Sequence, residues 1–232
     1  LESYLKVEIT DAALVRSISL YNESRSLLRA LNDLRKLDAP PINGSQTMEV
    51  LNASSRMPKE TFNDCLRGLL RELERAKPVT KAKARIMIAG SALNNAEFIQ
   101  SIERIGGLVV TDELCTGTRY WADPVVLTDC DEPLQAIARR YLNNFPCARM
   151  YPSEERFQRM LKLVREFRVD GVISQTIRYC SPYSNDLPLL SDLLSRNGVP
   201  MLSLDVEYGT SGSGQILTRV QAFLEMLEAR RK

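Results

Sequence analysis

Between positions 11 and 37 the apolar residues Leu14, Ile18, Tyr21, Leu28, Leu31 and Leu34 recur at intervals of three, four and seven, predicting one helix with a single buried stripe. Asp11 stands where it can cap the start, and Pro40-Pro41 ends the run. A second, short helix is expected over 45–54. A third runs from Pro58, a residue suited to a first helical turn, to about 76. Its apolar face carries Phe62, Cys65, Leu66, Leu69, Leu70 and Leu73, so Cys65 is expected in the core, where free cysteines are often found.

After the polar stretch KPVTKAKA the period changes. Four short β-rich runs, at 84–90, 108–114, 170–175 and 200–208, are mostly apolar throughout, as strands of a sheet covered on both faces are. Helical patterns near 94–105, 132–144, 154–168, 187–197 and 213–230 separate and follow them. Strands alternating with helices imply right-handed crossovers and a parallel sheet. The expected fold class is therefore α/β: a helical segment over 1–80 packed on an α/β domain over 81–232, with a roughly four-stranded parallel sheet flanked by helices.

Charge adds little to this picture. The 31 basic and 29 acidic residues leave a net charge of +2, giving no bulk electrostatic case for nucleic acid or a membrane surface as a partner. No run approaches the roughly 18–20 apolar residues of a spanning helix. The start, LESYLKVEIT, lacks the basic-then-apolar layout of a signal peptide, so a cytoplasmic location is expected. Histidine is absent, which excludes His-based triads and every zinc site with an imidazole ligand. Five scattered cysteines, with no CxxC pair, read as reduced thiols, and a metal held by them would be iron in a cluster, zinc or copper(I).

Ligands of an open parallel sheet bind beyond the carboxyl ends of its strands. The first strand ends in Gly90-Ser91, the second in Glu113-Leu114-Cys115-Thr116-Gly117-Thr118-Arg119, and the third runs into Arg178-Tyr179-Cys180-Ser181-Pro182. Cys115 and Cys180 thus fall at one edge of the sheet, as ligands of one cluster or as ordinary loop thiols. Cys147 and Cys130 are weaker candidates. Asp112, Glu113, Arg119 and Asp123 form either a solvated, self-paired charge cluster or an acid–base set. Arg119 can serve the phosphates of a ligand or a carboxylate such as Glu113 or Asp123. The glycine-rich run from Tyr208 to Gly214 fits neither a phosphate loop nor a dinucleotide fingerprint, which leaves a helix-start anion site or a flexible turn with a Ser cap.

The segments IERIGGLVVTDELCTGTRYW and DGVISQTIRYCSPYSNDLPLL, with QILTRVQAFLEML near the end, resemble the family of 2-hydroxyacyl-CoA dehydratase and benzoyl-CoA reductase subunits. The helical lead-in is similar to the family's middle segment. The resemblance implies a subunit of a lyase or oxidoreductase acting on an acyl-CoA substrate, paired with a homologous sister subunit and supplied with low-potential electrons by an ATP-dependent iron–sulfur activator. It implies a 4Fe-4S cluster with Cys115 and Cys180 as ligands; Ser91, Glu113 and Arg119, at the strand ends, are the candidate substrate contacts, with Arg119 able to hold the CoA phosphates. The family's further cluster cysteine lies in an amino-terminal α/β domain that nothing here matches. With Leu at position 1, a carboxyl-terminal fragment, inactive alone and with an incomplete or absent cluster, is expected. A non-catalytic scaffold paralogue that pairs with a catalytic sister is the alternative.

Overall fold

The computed structural model describes residues 1–79, 82–128, 132–143, 147–207 and 214–230. Four helices come first: α1 (Glu2–Leu5), α2 (Asp11–Leu34), α3 (Gly44–Ser54) and α4 (Lys59–Leu73). Then follow β1 (Ala84–Gly90), α5 (Ala96–Arg104), β2 (Gly107–Glu113), α6 (Thr118–Trp121), α7 (Pro133–Asn143) and α8 (Glu154–Glu166). The remaining elements are β3 (Gly171–Ile177), α9 (Ser181–Arg196), β4 (Met201–Val206) and α10 (Gly214–Arg230).

All strand pairs are parallel, in the order β2-β1-β3-β4. The chain leaves β1 toward β2 and then returns across to β3, so the carboxyl ends of β1 and β3 form the topological switch point. The sheet is covered on both faces, which explains its nearly unbroken apolar strands. On one face Phe98, Ile99 and Ile102 of α5, Met48 of α3, and Val220, Phe223 and Leu224 of α10 pack on Ile86, Ile88 and Ile173. On the other, Phe157, Met160 and Val164 of α8, with Leu190 and Leu194 of α9, pack on Met87, Ala89 and Val172.

The helical segment has its own core, where Leu28, Leu31, Leu51, Phe62 and Leu66 meet Trp121 of α6. Polar clamps join it to the sheet. Glu103 of α5 accepts from Gly44 N at 2.6 Å and from Ser45 N at 3.1 Å, capping α3 from outside. Arg35 donates to Val109 O of β2 at 3.0 Å, and Arg85 of β1 donates back to Arg35 O at 2.8 Å.

Several expectations need correction. The cap of α2 is Thr10, whose hydroxyl accepts from Ala13 N, with Asp11 one place inside. Helix α9 begins at Ser181 rather than near 187, because Pro182 occupies a first-turn position that loses no hydrogen bond, while Pro188 is accommodated within the helix. The four-residue helix at Thr118–Trp121 was too short for periodicity to reveal. Cys65 is exposed. The buried face of α4 is rotated toward Asn63, which is 1% exposed and accepts from Ser24 Oγ of α2 at 2.6 Å. That rotation carries position 65, on the opposite edge of the stripe, into solvent.

Gly90 ends β1 with φ of 118°, and a Cβ there would lie 1.8 Å from Gln175 O of β3. Gly90→Ala combines a forbidden backbone with a clash against a neighbouring strand, and should lower unfolding free energy by more than about 3 kcal/mol. Cys65→Ser should change it by less than about 0.5 kcal/mol, as at other exposed sites. Urea unfolding of both variants checks the pair; equal losses would contradict this strand-end geometry.

Candidate functional site

The site lies along the carboxyl edge of the sheet, and a single carboxylate shapes its β2 side. Asp112 Oδ1 accepts from Thr118 N at 2.7 Å, and Thr118 Oγ1 donates to Asp112 O at 2.7 Å. This closes the turn from β2 into α6 and places Cys115 at its tip. The turn admits no side chain at Gly117, where a Cβ would lie 1.8 Å from Asp112 Oδ1. Thr116 ties the tip to the neighbouring loop by donating to Leu93 O at 2.8 Å.

Arg119 emerges from α6 directly beneath Cys115. Its guanidinium donates to Gly90 O at 2.9 Å and to Cys115 Sγ at 3.3 Å, and its Nε lies 3.2 Å from Glu113 Oε1. The side chains of Arg119 and Glu113 are 0% and 1% exposed. The acidic cluster is therefore buried, not solvated, and Asp123 stands apart in an ion pair with Arg159. The partner of Arg119 within this chain is Glu113. Burial pushes the Glu113 carboxyl up to about 7, against the attraction of Arg119 and Arg156. Among the described residues neither Glu113 carboxylate oxygen has a hydrogen-bond partner, nor has Arg119 Nη1.

Tyr183, in the first turn of α9, links the β2 and β3 sides. Its hydroxyl lies 4.0 Å from Cys115 Sγ, its ring lies 5.2 Å from the Arg119 guanidinium, and its backbone N donates to Cys180 O at 3.1 Å. Burial, and then Glu113, raise the hydroxyl well above the usual tyrosine range, with Cys115 and Cys147 near enough to add to the shift. The segments of Cys115 and Cys180 therefore meet around one ring. All three cysteines are partly exposed. Among the described residues, no three Cys, Asp, Glu or His side chains gather closely enough to hold a metal ion.

Ser91 is buried. Its hydroxyl accepts from Ile177 N at 2.9 Å and its carbonyl from Gln175 Nε2 at 2.9 Å, so it stitches β1 to β3 at the switch point. Cys130 and residues 208–213 of the glycine-rich run lie outside the described residues. Tyr183 went unnoticed in the sequence, although its position three residues beyond Cys180, one helical turn away, was the available signal. The buried ion pair between Arg156 of α8 and Asp186 of α9 had no signal in spacing.

Comparison with known proteins decides the family. Residues 1–227 match the family model of the 2-hydroxyglutaryl-CoA dehydratase D-component. The chain belongs to that family. It is 30% identical over 227 residues to a protein of Escherichia coli (strain K12) named as a dehydratase subunit, YjiM, covering 95% of this chain and 58% of the relative. It is 26% identical over 231 residues to the (R)-2-hydroxyglutaryl-CoA dehydratase subunit beta of Acidaminococcus fermentans, covering 98% and 61%. One of the benzoyl-CoA reductase subunits of Thauera aromatica is 27% identical over 201 residues, covering 84% and 52%. This member of the dehydratase and reductase subunit family thus spans a little over half the length of these relatives. No helix among its described residues is long and apolar enough to cross a membrane.

Both Gly117→Ala and Asp112→Ala should open the turn that carries Cys115. The measurable result is lost hydrogen-exchange protection at the Thr118 amide and faster alkylation of Cys115, with a stability loss of about 1–3 kcal/mol for Asp112→Ala. Wild-type protection in the Gly117→Ala protein would contradict this geometry.

Proposed function

We propose that this chain is the cluster-bearing part of a subunit of a radical-type acyl-CoA dehydratase or benzoyl-CoA reductase. The observation that carries the reading is the buried Arg119 guanidinium, which donates to Cys115 Sγ at 3.3 Å while Tyr183 joins Cys115 to the Cys180 segment. The donor set fits an iron–sulfur cluster in kind: soft, partly exposed thiols at a sheet edge with a charge-assisted donor to sulfur. Cys115 and Cys180 would hold a 4Fe-4S cluster, with Cys147 or a residue of the rest of the subunit as a further ligand. Such a cluster, when bound, supplies one electron at low potential to the thioester.

The chain's own residues then have definite work. Asp112 fixes the Cys115 turn. Arg119 places an unremovable positive charge beside the sulfur, where it opposes the negative charge of thiolate and cluster. The Tyr183 ring covers that charge from α9, and the buried pair of Arg156 with Asp186 ties α8 to α9. A homologous sister subunit would complete the crevice, and an ATP-dependent iron–sulfur activator would deliver electrons to it. The names of relatives that are subunits of 2-hydroxyglutaryl-CoA dehydratase and benzoyl-CoA reductase support both the partner and the acyl-CoA substrate.

The test is metal content of the intact protein after anaerobic purification. Cys115→Ser and Cys180→Ser should each lose most iron and acid-labile sulfide, because a hydroxyl does not replace a thiolate on iron. Cys65→Ser should keep both. Full iron in the two strand-end variants would refute the ligand assignment.

A further inference from the structure

Beside the Cys115 loop lies a cavity of about 340 Å³, bounded by α3, α4 and the start of α6, with Leu51, Met57, Lys59, Tyr120 and Cys115 among its walls. Its size is that of a site for a small organic molecule. Its charge is unusual. Lys59, 9% exposed, holds its ammonium 5.3 Å from the Tyr21 ring, 5.4 Å from Phe62 and 6.0 Å from Tyr120. One of its protons goes to Ser54 O, the last residue of α3. Arg25, 5% exposed, stacks on the same Tyr21 and donates to Asn22 Oδ1 and Tyr141 Oη. Arg140, 3% exposed, donates to the carbonyls of Asp123 and Tyr120.

Three buried cations therefore gather at one place, and among the described residues none of them has a carboxylate in ion-pair contact. Aromatic faces and carbonyl dipoles offset part of the cost of burying such charges, but a desolvated cation without an anion remains expensive. Burial and the neighbouring Arg25 both lower the Lys59 pKa, as expected where positive charge is in excess. An incoming anion would supply the missing partner, and Lys59, on the cavity wall with protons to spare beyond the one given to Ser54, is placed to receive it.

We propose that this cavity binds a small carboxylate-bearing molecule, with Lys59 Nζ donating to the carboxylate and Leu51 and Met57 packing on its carbon chain. Phosphate fits less well, because phosphate sites draw on clustered backbone N–H groups, whereas this lining sets two cations, Arg56 and Lys59, among the carbon surfaces of Tyr21, Leu51, Met57 and Tyr120. The carboxylate belongs either to a free organic acid or to the far end of a CoA thioester. The meaning of Cys115 on the cavity wall rests on the function proposed above; the binding itself does not.

The test is calorimetric titration of the intact protein, before and after removal of iron, with glutarate, glutaryl-CoA, the neutral analogue glutaramide and inorganic phosphate. Glutarate or glutaryl-CoA should bind and glutaramide should not, and the tighter of the first two names the source of the carboxylate. Lys59→Met should weaken binding roughly tenfold or more, as loss of a buried charge-assisted hydrogen bond does. Met57→Trp fills the cavity without touching the contact to Ser54, so it should abolish binding even if Lys59→Met fails to fold. Persistence of binding after iron removal supports the site, even if the cluster assignment were to fail on metal analysis. Absence of binding by both carboxylates, or wild-type affinity in either variant, overturns the proposal and leaves Lys59 as a helix cap alone.

Discussion

A guanidinium with no access to water lies under the carboxyl edge of the sheet, and the arrangement above it depends on how that charge is satisfied. Arg119 reaches Gly90 O at the end of β1, the Glu113 carboxylate at the end of β2, the sulfur of Cys115 and the ring of Tyr183 at the start of α9. Arginine suits this task because its fork of donors stays charged when buried. One side chain thereby fixes the relative positions of three strand-end segments. Breaking a buried pair of this kind strands the remaining charge, so its members are expected to act as a unit.

The helical segment has a different role. Arg35, Arg85 and Glu103 lock α2 and α3 to β1, β2 and α5 through hydrogen bonds to backbone groups, which hold an approach angle more firmly than apolar contacts do. The Cys115 loop thus becomes a wall shared by the strand-end site and the cationic cavity beneath α3 and α4. That shared wall gives the chain an organised crevice, although it spans only a little over half the length of its relatives.

Much of this was legible from pattern. Unbroken apolar runs marked four covered strands, and the residues just after them, including Cys115 and Cys180, fell at one edge as parallel topology requires. Periodicity could not show which way a helix turns when a polar residue is buried. Asn63 faces inward for its bond to Ser24, and this is why Cys65 faces out. The same limit hid Lys59 and Arg25, which are buried against aromatic rings. Spacing likewise left Arg119 between a substrate phosphate and Glu113, because the choice is decided by burial and distance in three dimensions.

The central proposal is that Cys115 and Cys180 present their sulfurs to a common space around Tyr183. The most direct measurement is bridging of the two thiols in iron-free, reduced protein with the short bifunctional reagent dibromobimane, followed by peptide mapping. The account predicts one fluorescent species joining the Cys115 and Cys180 peptides, formed faster than any bridge to Cys65. Independent single alkylation of both cysteines, with no bridged peptide, would contradict it.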